Sequence, residues 1–190
     1  MALFIRKIRS DSNIELFLDA LNFDSVKADV VTELNISDKG DLSVWKVDNP
    51  HDKDEMNQVF ISIAASLPKC EDIQFLLIYD NEIASHNLNK PVKAPVEIGL
   101  CETLQDKHHN IKEIEIRNIK DCLQLYYDII KNDNLDNPKH LVYIEGSNMA
   151  KMLLEGKKFS LINEDCNKAL FGYIKSHYRA IYDEVMSSAS

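Results

Sequence analysis

Residues 42–80 read LSVWKVDNPHDKDEMNQVFISIAASLPKCEDIQFLLIYD, and the fold turns on how this stretch is read. LSVWKV (42–47) alternates in the manner of a strand. Residues 52–67 change to a helical period. An acidic first turn suits the helix dipole, and Met56, Val59, Phe60, Ile63, Ala64 and Leu67 form one stripe. IQFLLIY (73–79) is apolar without alternation, as a strand covered on both faces must be. Strand, helix and strand in that order predict a βαβ crossover, with 42–47 and 73–79 parallel in one sheet.

On the N-terminal side, residues 2–8 read as a first strand. Ser10, Asp11 and Ser12 then offer caps to a short helix carrying Ile14, Phe17, Leu18 and Leu21. Residues 28–34 and 42–47 flank the turn residues Ser37-Asp38-Lys39-Gly40, so a hairpin is expected. Its register would set Thr32 opposite Trp45, Val30 opposite Val47 and Asp29 opposite Asp48.

On the C-terminal side, residues 80–95, with Asn87, Asn89, Pro91 and Pro95, form the longest irregular segment. Residues 96–100 and 111–116 are expected to pair as strands. A helix over 119–131 should turn Ile119, Cys122, Leu123, Tyr126, Ile129 and Ile130 inward. Residues 140–144 read as a second buried strand, followed by a helix over 147–155 that stops at Gly156 and a last helix over 163–186. Phe60, Ile63, Phe75, Leu77, Leu123, Tyr126, Val142 and Ile144 are expected in one core. No repeat, low-complexity tract or linker interrupts the chain. The expected fold is therefore α/β or α+β, a single domain over 1–186 with a frayed tail over 187–190. It holds a mixed β-sheet with a β-hairpin, at least one βαβ crossover and covering helices.

Among 190 residues, 22 Lys+Arg stand against 31 Asp+Glu, a net charge of −9 that repels a phosphate backbone and an anionic membrane surface. The basic runs Arg6-Lys7-Ile8-Arg9 and Lys157-Lys158 are short and lack interleaved aromatics, so no nucleic-acid partner is expected and a basic protein partner is. With 5 glycines, the chain has neither GxGxxG nor GxxxxGK[ST], which argues against a phosphate-cradling loop. Cys70, Cys101, Cys122 and Cys166 are widely spread without CxxC spacing, so neither a zinc ribbon nor a redox motif is read. Free thiols in a reducing cytoplasm are the expectation. MALFIRKIRS is charged too early for a signal peptide, and no apolar run approaches the roughly 20 residues of a membrane span. A cytoplasmic protein without membrane contact follows, and abundant Ile, Asn, Lys and Asp suit an AT-rich bacterial gene.

Three strand candidates run straight into a carboxylate: LSVWKV into Asp48, IQFLLIY into Asp80 and LVYI into Glu145. Were these strands parallel and near one another, the carboxylates would converge on one rim, with Asp29 brought beside Asp48 by the hairpin. Such a cluster suits Mg²⁺ or Mn²⁺, hard cations that take oxygen ligands. Lys46 shares a face with Asp48, but Lys46-Val47-Asp48 reverses the acid-x-lysine order of metal-dependent nucleases. The competing reading is that acids at strand-to-helix turns satisfy backbone donors. Glu145-Gly146-Ser147 has the shape of a nucleophile elbow without its flanking GxSxG pattern, and Ser147 reads more simply as an N-cap. None of the six histidines has i, i+4 ligand spacing. His108-His109 should point apart as a solvated pair, His177 should be a core histidine, and Trp45 a core anchor.

With no assembled motif, the expectation is a non-enzymatic cytosolic protein-binding module, an accessory or inhibitory component such as a toxin-neutralising or phage-defence subunit, needing no cofactor. The alternative is a metal-dependent phosphoester hydrolase built on Asp29, Lys46, Asp48, Asp80 and Glu145 with Mg or Mn. A weaker alternative is a small-ligand binding domain using the strand-end crevice.

Overall fold

A computed structural model describes residues 2–8, 34, 36–37, 39–96, 100, 102–114, 119–132, 140–163 and 167–187. In chain order these form β1 (Leu3–Ile8), β2 (Leu42–Val47), α1 (Lys53–Ala65), β3 (Ile73–Tyr79), α2 (Asp80–Ser85), β4 (Val92–Lys93), α3 (Glu102–Gln105) and β5 (His108–Ile111). There follow α4 (Ile119–Asn132), β6 (Leu141–Ile144), α5 (Gly146–Lys158), α6 (Lys168–His177) and α7 (Arg179–Ser187). The expected helix after Ser10, nearly all of 28–34 including Asp29, and Cys101 and Cys166 lie outside the described residues.

The fold is mixed α/β: one open six-stranded sheet in the order β4-β5-β2-β1-β3-β6, flanked by helices. All its pairings are antiparallel. β1 is antiparallel to both β2 and β3, so β2 and β3 do run the same way, joined by α1. They are not neighbours, however, because β1 is inserted between them. The reason lies in β1 itself: Leu3, Phe4, Ile5 and Ile8 are all buried, and a strand that is apolar on both faces is stable only with a layer on each.

The hairpin register is overturned. Trp45 and Val47 face Ile5 and Leu3 on one side, and Trp45 faces His108 on the other, so Trp45 has no free side for Thr32. The expected turn does form. Gly40 takes a φ of +74°, its N–H donates to the Ser37 carbonyl at 2.9 Å, and its own carbonyl accepts from Ile114 N–H at 2.9 Å. An added Cβ at Gly40 would lie 3.0 Å from the Ile114 carbonyl oxygen, so both conformation and space favour glycine there.

Of the strand pair expected over 96–100 and 111–116, residues 97–99 and 115–116 lie outside the described residues; among the described ones β5 pairs with Val92–Lys93, and Leu100 bridges Ile162. Nor is 80–95 irregular throughout: it begins with α2 and contains β4. β6 is an edge strand with Tyr143 54% exposed, rather than a second buried one.

Alternation along the strands splits the core in two. Leu3, Ile5, Trp45, Val47, Phe75 and Leu77 pack under α1, α5, α6 and α7, with Phe60 and Phe75 rings 4.6 Å apart. Phe4, Ile8, Leu42, Val44, Leu76 and Ile78 pack under α4, through Cys122, Leu123, Tyr126 and Ile129. The single core expected from sequence is thus two, with Leu123 and Tyr126 across the sheet from Phe60. Gly156 does not stop a helix: it is buried inside α5, where a Cβ would meet Ile61 at 3.2 Å. The expected last helix is broken at Tyr178 into α6 and α7. Asn167, at φ 46°, caps α6 by accepting from Leu170 N–H and donates to the Ala65 carbonyl at the end of α1.

Candidate functional site: the strand-end carboxylates

Leu3 lies opposite both Val47 and Tyr79, so Asp48 and Asp80 leave the sheet at the same rim with β1 between them. Two strand spacings separate them, about 10 Å. Glu145 leaves elsewhere. β6 is antiparallel to β3, with Ile144 opposite Ile73, so Glu145 sits beyond the other end of β3, about 27 Å from Asp80 along the strand at roughly 3.4 Å per residue. The expected convergence of Asp48, Asp80 and Glu145 therefore fails on strand direction. Among the described residues, no group of three or more His, Cys, Asp and Glu is placed to hold a metal ion.

Asp48 is engaged by two lysines. Lys46 Nζ stands 2.5 Å from one carboxylate oxygen and Lys107 Nζ 2.7 Å from the other. Lys107 also pairs with Glu55, and Glu55 reaches back from the first turn of α1 to accept from Asp48 N–H at 2.9 Å and Asn49 N–H at 2.8 Å. The hydrogen bond from Lys107, then that from Lys46, holds the Asp48 carboxyl down to about 2. Burial pushes Glu55 up, but Lys107 and the two backbone donors outweigh it and leave the carboxyl lowered. Burial likewise works against the Lys107 ammonium, and its two carboxylate partners reverse the effect and raise it. Two carboxylates and two ammonium groups balance, so a divalent cation would first have to displace the lysines.

Asp80 opens α2, accepting from Asn81 N–H at 3.0 Å while its own N–H donates to the Ala2 carbonyl. It lines an open depression of about 340 Å³ with Asn81, Ile83, Ala84, Leu88 and Lys90. α2 is pinned to its surroundings by Glu82 with His140, 3.1 Å apart, and by His86 with Asp128, 2.9 Å apart.

At the opposite rim Glu145 occupies the N-cap position of α5 but makes no capping bond with its side chain, and Ser147 lies inside the first turn rather than at the cap. The acid that serves this helix start is Asp72, which accepts from Gly146 N–H at 2.8 Å and from the Tyr143 hydroxyl. Those bonds, Tyr143 first, hold its carboxyl below the usual range. Beside it the Cys70 thiol donates to the Gly146 carbonyl at 3.3 Å, and burial pushes that thiol up to about 12. Cys122 is likewise raised by burial to about 12, so both described cysteines are inert thiols at neutral pH.

The histidines differ from expectation in part. His108 and His109 do point to opposite faces, but as members of β5 rather than of a loop. His108 is buried against Trp45, with centroids 5.0 Å apart, and His109 lies edge-on to Phe4. His177 is exposed and stacked on Tyr173 at 3.9 Å instead of buried in the core. Sequence reasoning missed Glu55, Asp72 and Lys107. The spacing Asp52-x-x-Glu55 is an N-terminal helix signature that could have marked Glu55. Nothing local marks Lys107, which meets Glu55 only through folding. Compared with family models, with curated proteins and with solved structures, the chain finds no match.

Proposed function

We propose that this protein is a protein-binding module whose acidic surface meets a basic protein partner, in the manner of an accessory or inhibitory component. The observation that carries this reading is the state of the described strand-end carboxylates. Asp48 is neutralised by Lys46 and Lys107, Asp80 starts a helix, and Glu145 stands at the far rim. That leaves the net charge of −9 as the chain's strongest means of selecting a partner, by steering encounter and rejecting polyanions. A cytoplasmic setting fits the buried free thiols Cys70 and Cys122.

The test is association with a partner captured from the native host and then purified. A basic protein whose on-rate falls steeply as salt rises is the expected result. A rise in melting temperature on adding Mg²⁺ or Mn²⁺, lost in the Asp48→Asn, Asp80→Asn double variant, would instead favour the phosphoester hydrolase, because a ligand that binds only the folded state stabilises it. A second reading, a small-ligand domain, is favoured by the depression beside Asp80. Its volume of about 340 Å³ falls at the low end of the range for ligand pockets.

A further inference from the structure

Ser43 and His108 form a pair that the carboxylate rim does not involve. Ser43 lies on β2 two residues before Trp45, so the two side chains share a face. His108 lies opposite Trp45 on β5, one diagonal step from Ser43. The His108 Nε2 is 2.8 Å from the Ser43 hydroxyl, and its Nδ1 is 3.1 Å from the Ala94 carbonyl. A carbonyl only accepts, so Nδ1 carries the proton. In the neutral ring Nε2 is then the acceptor and the Ser43 O–H the donor.

The Nδ1 bond fixes the tautomer, and two further contacts hold the residue in place. Ala94 grips His108 twice, since its N–H also donates to the His108 carbonyl at 3.0 Å, and the Trp45 ring packs against the imidazole. Burial, the largest influence, holds His108 below its ordinary value, which favours the neutral ring with a free lone pair on Nε2. Ser43 itself is half-buried. A hydroxyl, a base within hydrogen-bond reach and a third group orienting the base are the parts of an activated nucleophile.

We propose that Ser43 is a nucleophile activated by His108, with the Ala94 carbonyl as the positioning group, acting on small acyl esters. The Ser43 oxygen attacks the ester carbonyl carbon as its proton passes to His108 Nε2. The bond to the alcohol oxygen then breaks, and the leaving alkoxide takes that proton. Water attacks the acyl-serine, giving a proton to Nε2, and Ser43 recovers it as the carboxylic acid leaves. This activity does not depend on the binding reading.

A fluorophosphonate probe followed by intact mass and peptide mapping tests it on the full chain. The expected result is one adduct, on Ser43, absent from Ser43→Ala and formed at least about 100-fold more slowly in His108→Gln, the lower end of what a general base contributes. p-Nitrophenyl acetate should be cleaved by the wild-type protein and not by Ser43→Ala. An unlabelled Ser43 in the wild-type protein overturns the proposal without any variant having to fold. So does labelling that proceeds equally fast in a folded His108→Gln.

Discussion

The two rims of the sheet use carboxylates differently. At the rim where β2 and β3 end, Asp48 and Glu55 are balanced by Lys46 and Lys107, and Asp48 keeps 56% of its side chain exposed. At the opposite rim the described acid that works, Asp72, holds a backbone N–H and a tyrosine hydroxyl, beside a glycine with no room for a side chain. The first rim is fastened by charge in water and the second by close packing. Charge pairs near solvent contribute about 0.2–1 kcal/mol, whereas displaced packing costs about 1–3 kcal/mol, so the second rim should be the more sensitive to substitution.

The most damaging change should lie between the rims. Phe75 is fully buried in β3 and packed on Phe60, so Phe75→Ala should cost about 3–5 kcal/mol. Hydrogen exchange at Asp48 and Gly146 should then accelerate together. Acceleration at one alone would show that the rims do not share a cooperative core.

Gly146→Ala comes next. A Cβ there would collide with the Tyr178 hydroxyl and lie 3.1 Å from the Glu71 carbonyl carbon, and the backbone has little freedom to yield. A loss of about 1–3 kcal/mol in denaturant melts is expected. A wild-type midpoint would mean that this rim is looser than its geometry says.

Asp48→Asn should cost no more than about 1 kcal/mol, because solvent screens the pair. Its effect should depend on pH with a definite sign. The folded carboxyl sits near 2 against an ordinary 3.8, so the unfolded chain takes up the proton first as pH falls. The contribution is present above about pH 4 and fades toward about pH 2, where variant and parent should melt alike. A difference that persists at full size at that pH would rule out the ion pair as its cause.

Glu145→Gln should be the mildest, within about 0.5 kcal/mol, since the side chain makes no capping bond. A larger loss by thermal melt would reveal a task at the far rim that Asp72 does not cover.

Much of the local structure was legible in the residues. β3 spans the expected 73–79, α1 starts from its Asp52 cap, and α4 buries the stripe Cys122, Leu123, Tyr126, Ile129. In α1 and α4 a helical period dominates, in β3 the apolar run is unbroken, and burial agrees with each. The misreadings fall where two local signals were equally satisfied. Gly156 serves a stop as well as a close approach to Ile61, and an apolar stripe over 163–186 fits one helix or two that meet at Tyr178. Of the candidate site, Lys46 with Asp48 was visible as neighbours on one strand face. The convergence with Glu145 was not decidable, because a strand of apolar residues reads the same in either direction.

The sequence by itself determined that β1, β2, β3 and β6 are strands and α1, α4 and α5 helices, and it fixed the net negative charge, since period, caps and charge are properties of neighbouring residues. Only the tertiary structure decided that β1 enters between β2 and β3, that β6 runs opposite to β3, and that Lys107 reaches Asp48 while His108 reaches Ser43. These are pairings between distant residues. They are set by which arrangement buries every apolar face at once, a condition on the whole chain that no short window of it contains.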